Sequence, residues 1–364
     1  MIHRVLVLGG YGNFGQPICR ALAQDARIEL LVGGRHAGAA DAFAATLGAR
    51  GLSIDAGAAD LAARLTALDV ATLIHTAGPF QGQDYTVAKA CIAAGCNYLD
   101  LADGRDFVAG IGALDESARA AGVLVASGAS SVPALSAAVV DHFLPEFAEL
   151  HEIRHSIASG ARTPGLATLR AVFGYCGKPF ARLENGVWTT AYGWLDLQRQ
   201  SYAAPVGARW LGSCDVPDLT LFPLRFRDVK SVVFHAGAGN PVAHLATWAL
   251  AGCVRRGWLR SLLPLASPLW RLSRWLEPLG TRSSAMRVKL TGVDGNGLPL
   301  ERNWQLIACD DQGPQIPCGG AIALTRKLAE GVLPRRGATP CVGLLTLEEY
   351  LGALSHLKLR QVLN

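Results

Sequence analysis

The sequence predicts an α/β protein: a doubly wound parallel sheet, followed by a second, α+β domain with a mainly antiparallel sheet. Three observations carry this prediction. The chain opens with an apolar run, "RVLVLGG", that enters a glycine-rich turn and then a helical pattern. From there to residue 127 short strands and helices alternate, the rhythm of right-handed βαβ crossovers. Beyond that point strand-like runs are joined by hairpin signals such as Asn185-Gly186 and "VDGNGLP", which favour antiparallel pairing.

Length and composition agree with two globular domains. The 364 residues suffice for two cores, and 50% hydrophobic against 17% charged residues exclude a disordered chain. The net charge of +5 comes from Arg more than Lys, without the basic runs of a nucleic-acid binder, so no such partner is expected. Nine cysteines lie scattered with no CxxC pair. They read as reduced thiols of a cytosolic protein, with neither disulfide framework nor zinc knuckle. No apolar signal segment with a cleavage site is visible, and a cytoplasmic location is the expectation.

Taken in order, Val5 to Leu8 forms the all-apolar run of a central parallel strand. Gln16 to Ala23 has helical spacing. Between them Gly10-x-Gly12-x-x-Gly15, with Tyr11, Asn13 and Phe14 in the gaps, satisfies the dinucleotide fingerprint of a Rossmann-type domain. Its glycines permit a tight turn, close approach of a pyrophosphate, and close packing of helix on strand; the diphosphate then meets the free amides of the helix start. A second strand, "IELLVGGR", precedes helices over Asp41 to Leu47 and Ala59 to Leu68, with a strand ending at Asp55 between them. The strand "VATLIHTAGPF", the helix "YTVAKACIAAG", the strand "NYLDLA", a helix over Asp115 to Ala121 and the strand "VLVASG" complete the domain. Ligands bind at the carboxyl ends of such strands. Those ends carry Gly10 to Gly15, Arg35, Asp55, Thr76, Ala77, Gly78, Pro79, Phe80, Asp100 and Ser127.

The end of the second strand bears on which dinucleotide is bound. An acid about 20 residues after the glycine turn would select NAD. Here the strand ends in Gly33-Gly34-Arg35. Two glycines would leave room for a 2′-phosphate and a guanidinium would grip it, with His36 as a second donor, so the expected cofactor is NADP.

At "TAGPF" and "YTVAKACIAAGCNYLDLADGRDFV" the sequence resembles the saccharopine dehydrogenase-like oxidoreductases. The likeness rests on the glycine turn, the Gly78-Pro79-Phe80 loop and the Ala-Gly-x-x-Tyr-x-Asp element from Ala94 to Asp100, and extends loosely to "GLLTLEEY". It implies an NADP-binding first domain, Gly78, Pro79 and Phe80 near the nicotinamide, and Tyr98 and Asp100 facing the inter-domain cleft. Phe80, Tyr98, Asp100 and Asp103 are accordingly expected to line that cleft, the last three as candidate catalytic groups. The implied activity is hydride transfer between NADP(H) and a small-molecule substrate. Two other readings stay open: a non-catalytic nucleotide-binding or membrane-associated scaffold, and an atypical short-chain dehydrogenase using Tyr85 and Lys89.

"HEIRH", His151 to His155, matches the HExxH string of zinc proteases, but its flanks alternate as in a strand, where the coordination geometry fails. No metal site is expected. The expected division is 1–127 for the nucleotide domain, 128–318 for a substrate or dimerisation domain, and 319–364 for C-terminal helices that, by the resemblance, pack back on the first domain. Two helix-like stretches there are separated by Pro334 and Pro340. In the middle domain Arg170, Asp196 and His235 have ordinary structural readings. Residues 244–280 interleave Trp248, Trp258, Trp270 and Trp275 with five arginines and one acid, Glu277. An interfacial membrane hairpin, a lid, a dimer surface and a buried helical pair all fit that pattern.

Overall fold

The computed structural model describes residues 2–160, 165–333 and 335–363. Pro334 therefore lies outside the described residues. In chain order the strands are β1 (His3–Leu8), β2 (Ile28–Gly34), β3 (Arg50–Ser53), β4 (Thr72–His75), β5 (Asn97–Asp100), β6 (Leu124–Ser127), β7 (Glu149–Ala158) and β8 (Pro179–Glu184). They continue as β9 (Val187–Tyr192), β10 (Gln198–Tyr202), β11 (Gly207–Ser213), β12 (Ser231–Gly237), β13 (Ser284–Val293), β14 (Pro299–Ala308), β15 (Gly337–Pro340) and β16 (Leu359–Leu363). The chain divides into two compact units, residues 1–137 with 315–354 and residues 138–314 with 355–364.

The first unit is a seven-stranded parallel sheet of order β15-β6-β5-β4-β1-β2-β3. Val5 to Leu8 are almost fully buried because both sheet faces are covered, which explains the unbroken apolar run. On one face Leu6, Leu31, Leu73, Tyr98 and Val125 pack with Leu61, Leu65, Val87 and Cys91 from the covering helices. The helices Leu61–Ala67, Thr86–Ala93 and Asp115–Ala120 fall where helical spacing placed them. The second helix starts earlier, at Ala37, since alanines without apolar spacing gave no sharp start. Between helices Gly319–Glu330 and Leu347–Gly352 the chain forms β15, paired with β6, where the proline spacing suggested only a break.

The second unit is a mixed, mainly antiparallel sheet of order β10-β11-β12-β7-β13-β14-β16, with β8 and β9 attached at β12. The Asn185-Gly186 and Asp294–Leu298 turns join β8 to β9 and β13 to β14 as their sequences indicate. Leu359–Leu363, expected with the C-terminal helices, instead forms β16 against β14. "HEIRH" lies on β7, as alternation required. His155 is fully buried between Phe222 and Phe234, its Nε2 3.2 Å from a carboxylate oxygen of Asp218, itself fully buried. Removing the acid would strand the imidazole in an apolar setting. Asp218→Ala should therefore cost about 3 kcal/mol or more in urea unfolding, whereas a loss below about 0.5 kcal/mol, typical of surface sites, would show the pair to be inert.

Candidate functional site

The strand order reverses at β1, which has β2 on one side and β4 on the other, so a crevice opens beyond their carboxyl ends. The ends are tied together by backbone. Gly9 and Gly10 amides donate to the Gly33 carbonyl (2.8 and 3.1 Å), and the Thr76 amide and hydroxyl both donate to that of Leu8 (2.9 Å each). Gly12 folds back onto the Gly9 carbonyl at 2.8 Å, closing the turn. The helix Gly15–Leu22 then begins with Phe14 at its N-cap and no side-chain cap. Among the described residues the amides of Tyr11, Asn13, Phe14 and Gly15 have no acceptor. Uncapped amides at a helix start form an anion site, and these residues fit a pyrophosphate.

Arg35 projects exposed from the end of β2 and, among the described residues, pairs with no carboxylate. The room expected at Gly33 and Gly34 is, however, already filled. A Cβ on Gly34 would collide with the Tyr11 ring, and one on Gly33 would lie 2.9 Å from Leu6 Cδ1. Gly34 lets Tyr11 lie across the end of β2, where its hydroxyl accepts from the His36 amide at 3.1 Å. A phosphate there would meet Arg35 from the solvent side. Asp55 is exposed at the end of β3 and accepts from the Gly57 amide at 3.0 Å.

After β4, Ala77 and Pro79 are exposed and Thr76 and Gly78 half-buried, but the Phe80 ring turns inward. It packs at 5.0 Å on His75 and 5.4 Å on Phe107, so the loop offers a ligand its backbone and Pro79 while Phe80 anchors it. His75 escaped the sequence reading because a histidine closing an apolar strand looks ordinary. Burial holds its imidazole neutral, down to about 4. Its Nδ1 lies 3.2 Å from the Tyr98 hydroxyl.

Tyr98 and Asp100, expected to face a cleft, are fully buried. The Tyr98 ring is part of the core, since the β5 face it occupies is the one the helices cover. Asp100 Oδ1 accepts from the Gly128 amide (2.7 Å), the Ala102 amide (2.9 Å) and the Ser127 hydroxyl (3.0 Å). Burial pushes its carboxyl up to about 6, against the pull of those donors. Of the three candidate catalytic groups only Asp103 is half-buried rather than enclosed. It accepts from Gln81 Nε2 at 3.0 Å, and burial raises its carboxyl.

The Tyr85 and Lys89 pair does not form an acid–base dyad. The Tyr85 hydroxyl donates to the Phe107 carbonyl at 2.7 Å, burial raises its pKa, and Lys89 is exposed. In the second unit Arg170 is exposed, while Asp196 accepts from Arg182 and Ser213 at 3.0 Å each. Burial and then Arg182 lower His235 to about 4. A polar cavity of about 70 Å³ opens beside it, lined among others by Arg154, Ser156, Gln200, Arg287 and Lys289. No cluster of three or more His, Cys, Asp or Glu among the described residues could hold a metal ion.

Residues 5–126 match the family profile described as Saccharopine dehydrogenase NADP binding domain. The nucleotide-type unit is saccharopine dehydrogenase-like. Among solved structures the chain is similar to an apo saccharopine dehydrogenase (L-Glu forming) from Saccharomyces cerevisiae. The TM-score is 0.67 at 14% identity, covering 99% of this chain and 100% of that one. It is also similar to a homospermidine synthase from Legionella pneumophila, solved in complex with NAD. There the TM-score is 0.61 at 8% identity, with 100% and 92% covered. No curated protein sequence matches. This saccharopine dehydrogenase-like unit supplies the parallel sheet and glycine turn; the two structures extend the likeness in fold across the chain.

Asp100 makes a test of its structural role. Its folded-state pKa of about 6 exceeds the unfolded value of about 4, so the fold binds its proton more tightly. The associated stability is full below pH ~4 and is lost as pH rises through ~6, about 3 kcal/mol in all. Asp100→Asn keeps the Oδ1 acceptor and removes the charge. Urea unfolding between pH 4 and 7 should lose this slope in the variant; an unchanged slope would assign the titration elsewhere.

Proposed function

We propose that the protein is an NADP-dependent oxidoreductase, passing hydride between NADP(H) and a small-molecule substrate at the carboxyl edge of the parallel sheet. One observation carries this reading: the orphaned amides of Tyr11, Asn13, Phe14 and Gly15 and the unpaired Arg35 guanidinium stand at the ends of neighbouring strands, with no carboxylate at the tip of β2. The family profile, an NADP-binding domain, supports the same cofactor. The dehydrogenase from yeast and the NAD complex from Legionella support dinucleotide chemistry.

When bound, the dinucleotide supplies a hydride donor or acceptor at its nicotinamide; the chain positions it and excludes water. The turn from Gly10 to Gly15 would hold the pyrophosphate through the free amides of Tyr11, Asn13, Phe14 and Gly15, and Arg35 would take the 2′-phosphate through charge-assisted bonds. Asp55 borders the adenosine end. Thr76 to Pro79 flank the nicotinamide, with Phe80 fixing the loop from beneath. Tyr98 and Asp100 act as positioning residues. Asp103, oriented by Gln81, is the group able to make a polar contact with the substrate.

Two measurements bear on this. In calorimetric titrations Arg35→Ala should weaken NADPH about thirtyfold, on the order of 2 kcal/mol, and NADH far less; equal losses would remove Arg35 from the phosphate site. NADPH oxidation over a panel of imines, ketones and enoyl compounds should reveal turnover, and Asp103→Asn should lower it with NADPH affinity kept. Binding without turnover on any member would favour a nucleotide sensor instead.

A further inference from the structure

Residues 244–280 lie outside the parts assigned above, and the structure leaves several of their large apolar groups exposed. They form the helix Pro241–Arg255, a turn at Leu263–Leu265 and the helix Ala266–Leu276, which packs against the helix Leu166–Tyr175. Leu265, Pro268, Leu272 and Trp275 follow one another at intervals of three and four and so share one stripe. All four are exposed, Trp275 by 83%, and Trp258 in the connecting loop by 73%. A helix ordinarily turns such a stripe inward. Here it faces water.

The charge around the stripe is one-sided. Arg255, Arg256, Arg260, Arg271 and Arg274 are exposed, and among the described residues none pairs with a carboxylate. Two stack on indoles, Arg256 over Trp258 at 5.7 Å and Arg274 over Trp270 at 5.4 Å. With Glu277 as its one acid, the segment carries four of the chain's five net positive charges. No described helix is long and apolar enough to cross a bilayer.

We propose that this face docks on an anionic lipid bilayer, lying in the interface without spanning it. Indoles and leucines reach the headgroup boundary while the arginines meet lipid phosphates. A second copy of the chain fits less well. A two-fold contact through the same patch would set five arginines against five, with one glutamate from each copy to offset them.

The test is flotation of the full chain with vesicles of phosphatidylcholine, alone or mixed with phosphatidylglycerol, alongside analytical ultracentrifugation without lipid. Binding should require phosphatidylglycerol, fall with salt, and drop about tenfold or more in Leu272→Ser/Trp258→Ser/Trp275→Ser. Arg271→Glu/Arg274→Glu should weaken it as well. All five positions are exposed, and unchanged thermal unfolding verifies that each variant folds. No flotation with anionic vesicles, or equal flotation of wild type and triple variant, would overturn the proposal. So would a wild-type dimer that the triple variant converts to monomer, which would name a second copy as the occupant.

Discussion

The carboxyl edge of the parallel sheet depends on how closely the helix Gly15–Leu22 approaches the strand before it. A Cβ on Gly15 would overlap the Gly9 carbonyl oxygen and lie 2.6 Å from the Gly10 Cα. Backbone therefore rests on backbone. This contact fixes the direction of the helix start and leaves the amides of Tyr11, Asn13, Phe14 and Gly15 free at the end of β1. A larger residue would lift the helix, and the amides would lose their common focus. The tight turn, the uncapped start and the anion site are thus one constraint seen from three sides.

Beneath that edge a polar layer holds the neighbouring strand ends. Asp100 collects two amides and a hydroxyl from the chain leaving β5 and β6, and His75 with Tyr98 fills the space below the loop that follows β4. Asp100 Oδ1, His75 Nδ1 and the Tyr98 hydroxyl are partnered within this layer, while His75 Nε2 and Asp100 Oδ2 are buried without a hydrogen-bond partner, an expensive arrangement. Their chemistry looks catalytic in a list of residues, but in the fold they are buried and bonded to backbone and to one another. Burial keeps the imidazole neutral and the phenol protonated, so the carboxyl of Asp100 is the one group of the three poised to titrate near neutrality.

Much of this was legible from residue order alone. Apolar runs two-sided in burial gave the parallel strands, the glycine spacing gave the turn, and alternation placed His151 and His155 on a strand despite a metalloprotease string. What stayed hidden depends on side-chain direction. Tyr98 and Asp100 share a face of β5 by period, yet nothing in their order says that helices cover that face. Phe80 turns under its loop because His75 and Phe107 form a seat for it, and those partners lie 5 and 27 residues away in sequence. Gly34 read as space for a ligand, whereas the ring of Tyr11, from the glycine turn after β1, occupies it. The strand Gly337–Pro340 was masked by its proline, which an edge strand tolerates.

Charge is distributed so that the proposed recognition of an anionic dinucleotide would have to be local. Leaving out residues 244–280, the chain is close to neutral, with a net charge of +1 from the overall +5 less the +4 of that segment. Charges more than about 8 Å from the glycine turn are largely screened at physiological ionic strength. A diffuse positive field therefore cannot supply affinity for a pyrophosphate or a 2′-phosphate. On the proposed reading, four backbone amides and a single guanidinium would do so in direct contact. The helix start without a side-chain cap at Phe14 fits that reading: an Asp or Ser there would satisfy the amides internally and compete with a ligand for them.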